Sequence, residues 1–147
     1  MIDVQSHDIR KRSDNLTISI NSFSFLMGGA PEDESGNGGG FVFDCRGLPN
    51  PGRFSEFSTM TGKDKAVIQF LEERNEVSRF IDNIERLVSQ SIDNYIDRGF
   101  EHLMINFGCT GGQHRSVYCA EKLYEQLRQK YNVNFKIRHY QQDLNMK

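Results

Sequence analysis

The stretch Phe107-Gly-Cys-Thr-Gly-Gly-Gln-His-Arg-Ser116 most constrains what this chain can fold into. An apolar run, Leu103-Met-Ile-Asn-Phe107, precedes the glycines and is typical of a buried strand, and an amphipathic segment with helical spacing follows them. The pattern predicts a strand, a tight turn and a helix. At such a junction the first backbone N–H groups of the helix lack intrahelical acceptors, and the positive end of the helix dipole lies at the turn. We therefore expect the turn to bind an anion.

The side chains of this turn suit a phosphate group. Gly111 and Gly112 lack Cβ, so a ligand can approach the backbone closely. Thr110 contributes a hydroxyl group, His114 a titratable donor and Arg115 a planar fork of N–H donors. The candidate ligand-binding residues of the turn are Cys109, Thr110, Gly111, Gly112, Gln113, His114, Arg115 and Ser116.

Two enzyme classes use related turns. A P-loop NTPase needs a Lys followed by Ser or Thr after its second Gly, and this chain has no such pair, which argues against that class. Cysteine-dependent phosphatases use a Cys, five residues and an Arg, the spacing of Cys109 and Arg115, so that a thiolate attacks phosphorus while the guanidinium holds the oxygens. Cys109 can equally be a small residue of the pocket wall. Both interpretations stay open, with Asp44 as the candidate acid of a phosphatase.

A second group of candidate residues follows a short apolar strand at 41–43. Asp44 and Arg46 come directly after it, and in open α/β sheets ligands bind beyond the carboxyl ends of the strands. Alternatively, the two side chains pair with each other at the surface. The stiff segment Leu48-Pro-Asn-Pro51 then predicts an irregular loop, because each Pro fixes its own φ and restricts the residue before it.

Several motifs in order resemble the C-terminal domain of the RapZ family of RNase adapter proteins. They are Phe43-Asp-Cys-Arg46, Leu48-Pro-Asn-Pro51, Thr61-Gly62, the string from Gly108 to Val117, and Arg138-His139 with Asp143-Leu144. The resemblance spans about residues 15 to 145, nearly the whole chain. It implies a domain that binds an amino-sugar phosphate, glucosamine-6-phosphate in RapZ, and that engages small RNAs and regulatory or RNA-processing proteins. The matching positions implied to line the pocket are Asp44, Cys109, Thr110, Gly111, Gly112, His114 and Arg115.

The chain departs from this family in two ways. The larger members carry an N-terminal nucleotide-binding domain with a Walker motif, which this sequence lacks, so NTP hydrolysis is not expected of it. Those members also have a His where this chain has Gly52, so one expected sugar contact is missing.

Bulk composition narrows the remaining possibilities. A chain of 147 residues with 37% hydrophobic and 26% charged residues predicts one soluble domain. The net charge of −2 gives no overall attraction to RNA, so any contact would need a local patch. Five basic residues are candidates, although they also fit a solvated helix face: Lys122, Arg128, Lys130, Lys136 and Arg138.

The cysteines and the N-terminus bear on location. Cys45, Cys109 and Cys119 have neither metal-ligand nor disulfide-framework spacing, and no segment is apolar enough for a signal peptide or a membrane span. We expect a cytoplasmic protein without a metal or cofactor, and a homo-oligomer is left open.

The periodicity predicts an α/β domain over 15–147 after a partly disordered leader over 1–14. The sheet is expected to be mostly parallel and flanked by helices. A mobile Gly-rich loop over 28–40 is either a plain connection or a lid over a ligand. The predicted strands cover 15–26, 41–43, 103–107 and 133–138, and the predicted helices cover 63–73, 76–98 and 114–130.

Overall fold

A four-stranded, all-parallel sheet forms the centre of the domain. The computed structural model describes residues 8–37 and 39–145, with side chains to residue 143. The strands are β1 (Lys11–Ser24), β2 (Gly40–Asp44), β3 (His102–Cys109) and β4 (Tyr131–His139), and their order in the sheet is β2-β3-β1-β4. The prediction of a single α/β domain with a mostly parallel sheet is confirmed.

The helices are α1 (Lys65–Glu72), α2 (Asn75–Arg98), α3 (Arg115–Lys130) and α4 (Tyr140–Asn145). Two short 3-10 turns, Pro51–Arg53 and Ser55–Phe57, follow β2. The three predicted helices are present within two residues of their expected ends. The sequence did not predict α4.

The first strand starts earlier than its alternating pattern predicts. Lys11 and Arg12 pair with Tyr131 and Asn132 of β4, and the register then shifts before Thr17. These residues are polar, yet their backbone groups take part in the ladder, which side-chain periodicity does not detect. Residues 11–14 are therefore strand and not leader, and residues 1–7 lie outside the described part of the chain.

The core lies between the sheet and the helices α2 and α3. Alternate residues of β1, Leu16, Ile18 and Ile20, are fully buried and pack in one cluster with the apolar stripe of α2 and with the inner face of α3. The stripe of α2 contains Val77, Ile81, Ile84, Val88 and Ile92. Leu87, three residues after Ile84 in the same helix, is 50% exposed.

The predicted site segments meet at one end of the sheet. Asp44, the last residue of β2, is in register with Gly108 of β3, and the Cys45 N–H donates to the Gly108 carbonyl at 2.7 Å. Because the strands are parallel, the loop after β2 and the turn after β3 leave the sheet side by side. Among the described residues, no helix is both long and apolar enough to cross a bilayer.

The connection between β1 and β2 has local order around Asp33. Its carboxylate accepts hydrogen bonds from the Ser35 hydroxyl and from the backbone N–H groups of Asn37 and Gly39. The mobility of this loop stays a prediction.

Candidate functional site

A cavity of about 220 Å³ lies at the predicted turn between β3 and α3. We name it the turn cavity. Six of the predicted ligand-binding residues line it, and the loop after β2 supplies the opposite wall through Asn50 and Gly52. The predicted residues that line it are Cys109, Thr110, Gly111, Gln113, His114 and Arg115.

The two glycines of the turn have different structural roles. Gly112 has a φ of +68°, and a Cβ placed on it would lie 2.9 Å from the Ser24 backbone nitrogen and 3.0 Å from the Phe23 carbonyl carbon. Gly112 therefore lets the turn fold against β1. At Gly111 φ is ordinary, and no described atom beyond its chain neighbours lies within 4 Å of the position of a Cβ. The chain itself thus gives no steric reason for a glycine at position 111.

The turn is held to β1 by a side chain as well. The Ser24 hydroxyl donates to the Thr110 carbonyl at 2.6 Å, and the Phe25 N–H donates to the Cys109 carbonyl at 3.0 Å. The first turn of α3 follows at Arg115. Its N-cap residue, His114, makes no side-chain cap hydrogen bond, so that side chain leaves the first amides of the helix available to an anion.

Arg115 is buried, with only 5% of the residue exposed. One terminal nitrogen, Nη1, donates to the backbone carbonyls of Arg46 and Leu48 at 2.9 and 3.1 Å. Its Nε is also buried and has no hydrogen-bond partner among the described residues. A buried guanidinium with an unbonded N–H is costly unless something accepts that hydrogen bond. The sequence predicted that Arg115 binds phosphate. The structure shows that its side chain also holds the loop after β2 in place.

His114 connects the turn to the 3-10 segment. Its Nε2 lies 2.9 Å from the Phe57 carbonyl oxygen, which can only accept, so Nε2 carries the proton. In the neutral ring Nδ1 is then an acceptor. A Cβ placed on Gly52 would lie 3.4 Å from this Nδ1, which puts that nitrogen beside the Gly52 wall of the turn cavity.

Cys109 lies at the wall of the turn cavity, but only 2% of the residue is exposed. Its sulfur is 3.1 Å from the hydroxyl of Ser116, which is fully buried. Ser116 thus contacts Cys109 and does not line the turn cavity, although the sequence analysis included it among the candidate ligand-binding residues.

Asp44 and Arg46 pair with each other, as one of the two sequence interpretations predicts. The Arg46 guanidinium donates to both carboxylate oxygens of Asp44 at 2.7 to 3.1 Å, and it also lies 4.0 Å from the centroid of the Phe25 ring. The hydrogen bonds from Arg46 lower the pKa of Asp44 below its ordinary value. Asp44 is not among the residues that line the turn cavity.

Comparison with known proteins identifies the domain. A model of the RapZ C-terminal domain family matches residues 16–143. The chain belongs to the RapZ C-terminal domain family. Among its relatives, a nucleotide-binding protein of Agathobacter rectalis is 38% identical over 138 residues, which are 94% of this chain and 44% of that protein.

Two further relatives show the same partial coverage. A nucleotide-binding protein of Dechloromonas aromatica is 45% identical over 108 residues, 74% of this chain and 36% of the relative. One of Clostridium kluyveri is 35% identical over 130 residues, 88% of this chain and 42% of the relative. The chain therefore spans about two fifths of the length of these proteins.

The five basic residues proposed for RNA do not gather on one surface of this RapZ-type domain. Lys122, Arg128 and Lys130 lie on α3, where Lys122 is 3.7 Å from Glu72 and Lys130 donates to the Ser89 hydroxyl at 2.9 Å. Lys136 and Arg138 alternate on β4 with residues that pack against the core, so they lie on the face of the sheet away from α3.

Sequence reasoning missed several residues that shape the site. Asn50 lines the turn cavity beside Gly52, the position where the resemblance implied a sugar contact in the larger members, and the Phe57 carbonyl orients His114. Gly62 donates its N–H to the Gln113 carbonyl at 2.8 Å and packs directly on the start of α3. The Leu48-Pro-Asn-Pro51 and Thr61-Gly62 motifs of the RapZ C-terminal family were the available signals, but the sequence does not tell which side of the turn they contact.

Proposed function

We propose that this domain binds a sugar phosphate, with an amino-sugar phosphate such as glucosamine-6-phosphate as the leading candidate, and that it acts as a regulatory ligand-binding domain. The phosphate would lie in the turn cavity. The observation that carries the proposal is Arg115, which lines a cavity where a helix begins and whose buried Nε lacks a partner among the described residues. A phosphate in this cavity would interact favourably with the guanidinium charge and with the helix dipole.

The lining of the turn cavity fits the rest of such a ligand. The open position at Gly111 gives a phosphate room to approach the backbone N–H groups of the turn. The His114 Nδ1, an acceptor in the neutral ring, would receive a hydrogen bond from a sugar hydroxyl or ammonium group. Asn50 can both donate and accept. Donors for the phosphate and acceptors for the sugar are thus present in one cavity.

The alternative, a cysteine-dependent phosphatase, is supported less well by the same geometry. Its nucleophile, Cys109, is 2% exposed and contacts Ser116. Its candidate acid, Asp44, is bonded to Arg46 and has a lowered pKa, which keeps it ionised and unable to donate a proton to a leaving group. Binding without hydrolysis is therefore the function that we propose.

Two other roles lie outside the proposal. The relatives are named nucleotide-binding proteins, but they are more than twice as long as this chain, and the chain has no Walker A motif. An RNA-adapter role would rest on the family alone, because the basic residues are divided between two faces of the domain.

Isothermal titration calorimetry with glucosamine-6-phosphate, glucose-6-phosphate and inorganic phosphate tests the proposal. Gly111→Val is the decisive variant, because the open position tolerates a side chain in the free protein whereas the valine would block the phosphate. We expect it to weaken sugar-phosphate binding by about tenfold or more without lowering the melting temperature. Thr59→Val is the control, since Thr59 is exposed and lines neither the turn cavity nor the space beside it.

Three outcomes would contradict the proposal. One is no binding of any sugar phosphate by the wild-type domain, and another is equal binding by the wild type and the Gly111→Val variant. The third is steady release of inorganic phosphate that the Cys109→Ser variant abolishes, which would establish the phosphatase instead.

A further inference from the structure

A second cavity, of about 470 Å³, lies beside the turn cavity. We name it the arginine cavity. Asn50, Thr110 and Arg115 line both cavities, so the two cavities are adjacent. Its other walls come from the loop after β2 and from Glu76 in the first turn of α2.

Three arginines line the arginine cavity, Arg46, Arg53 and Arg115. The charge of Arg46 is compensated by Asp44, and that of Arg115 is partly stabilised by two backbone carbonyls. Arg53 is exposed and has no ion-pair or hydrogen-bond partner for its side chain among the described residues. Against these, Glu76 is the acidic residue of the lining. Because Arg46 is paired with Asp44, the remaining charged residues of the lining are Arg53, Arg115 and Glu76. Their charges sum to a net positive charge.

We propose that the arginine cavity is a second anion subsite, so that this domain binds a sugar with two anionic groups more tightly than a sugar monophosphate. The inference rests on the proposed function, because the first group is the phosphate in the turn cavity. The second anionic group would be bound by Arg53, with Thr110 and Asn50 between the two subsites. The ligand class that would fill both subsites is then a bisphosphorylated sugar, an amino sugar included, or a similar metabolite with separated anionic groups.

The carboxylate of Glu76 is expected to oppose anion binding in the arginine cavity. A like charge in the same cavity opposes a bound anion, so Glu76 weakens the second subsite and selects against larger clusters of negative charge. Replacing it by the isosteric Gln removes this repulsion. The two substitutions, at Arg53 and at Glu76, are therefore expected to change the affinity for a doubly anionic ligand in opposite directions.

The test compares glucose-6-phosphate with glucose-1,6-bisphosphate by isothermal titration calorimetry at fixed ionic strength. We expect the wild type to bind the bisphosphate about tenfold more tightly. Arg53→Ala should remove this advantage and leave the affinity for the monophosphate unchanged, and Glu76→Gln should increase the advantage. Arg98→Ala is the control, because it removes an exposed Arg at the opposite end of α2.

The outcomes separate this inference from the function on which it rests. If neither sugar phosphate binds, the proposed function fails and the second subsite fails with it. If the monophosphate binds and the bisphosphate binds no more tightly, or if Arg53→Ala weakens both ligands equally, the second subsite is refuted while the proposed function stands.

Discussion

At the scale of single residues, the two adjacent glycines of the turn have different roles, one in the stability of the fold and the other in the proposed ligand binding. Gly112 adopts a left-handed conformation and contacts β1, whereas Gly111 does neither. The sequence predicted a tight turn from the pair but could not tell the two apart, because the difference depends on where β1 and α4 lie. The resulting roles can be tested by stability measurements on the free protein.

The substitution Gly112→Ala is expected to destabilise the domain by about 1–3 kcal/mol, since the added Cβ requires a strained φ and meets the Ser24 and Phe23 backbone. Urea denaturation followed by circular dichroism measures this change. Gly111→Ala is the matched control, and its free energy of unfolding should stay within about 0.5 kcal/mol of wild type. Equal stability of both variants would contradict the assignment of roles.

Arg115 combines a structural role with its candidate binding role. Removing its side chain leaves the carbonyls of Arg46 and Leu48 without their donor and opens space in a buried region. We expect Arg115→Ala to lower the free energy of unfolding by about 2–4 kcal/mol, which urea denaturation would detect. The same change at exposed Arg98 should have little effect on stability. An Arg115→Ala variant as stable as wild type would show that the two carbonyl contacts do not hold the loop.

At the scale of secondary-structure elements, the start of α3 is positioned by the loop before α1. A Cβ placed on Gly62 would lie 2.3 Å from the His114 carbonyl oxygen and 2.4 Å from the Tyr118 nitrogen. The loop therefore contacts the backbone of α3 directly. The sequence predicted α1 and α3 individually, but this contact depends on tertiary packing that no local pattern encodes.

The substitution Gly62→Ala should therefore displace the first turn of α3 and weaken sugar-phosphate binding, although Gly62 does not line the turn cavity. We expect a loss of about 1–3 kcal/mol in stability, because both close contacts are backbone atoms that cannot rotate away. Amide chemical shifts of residues 113–118 would report the displacement. If those shifts and the ligand affinity stay at wild-type values, the loop does not position the helix.

Sequence patterns predicted the secondary-structure elements more accurately than the tertiary contacts between them. The order of strands and helices could be predicted from hydrophobic periodicity. Buried residues recur at every second position in the middle of β1 and mostly at every third or fourth position in α2. The extension of β1 to Lys11 and the helix α4 were missed, since polar residues form both. The candidate site was predicted as the residues of the turn together with Asp44 and Arg46, whereas Asn50 joins its lining only because β2 lies next to β3.

At the scale of the whole molecule, the sheet is covered by α2 and α3 on one face, and the C-terminal end of β4 closes against α3. There His139 is nearly buried, with its Nδ1 2.6 Å from the Ser22 hydroxyl. Its Nε2 lies 3.4 Å from a carboxylate oxygen of Glu121, without hydrogen-bond geometry. Burial lowers the pKa of His139 below its ordinary value of 6.5, and the charge of Glu121 only partly opposes this effect.

This lowered pKa predicts how the stability of the domain depends on pH. The unfolded chain protonates His139 near pH 6.5 and the folded domain does so only at lower pH, so the unfolded state binds more protons in between. The stability that depends on a neutral His139 is therefore fully present above pH 6.5 and is lost as the pH falls below that value. Urea midpoints measured from pH 7.5 to 5.5 should decrease for the wild type and decrease less for His139→Asn. Glu121→Gln should steepen the wild-type trend, because removing the carboxylate lowers the pKa of His139 further, and an identical slope in all three proteins would contradict this origin of the pH dependence.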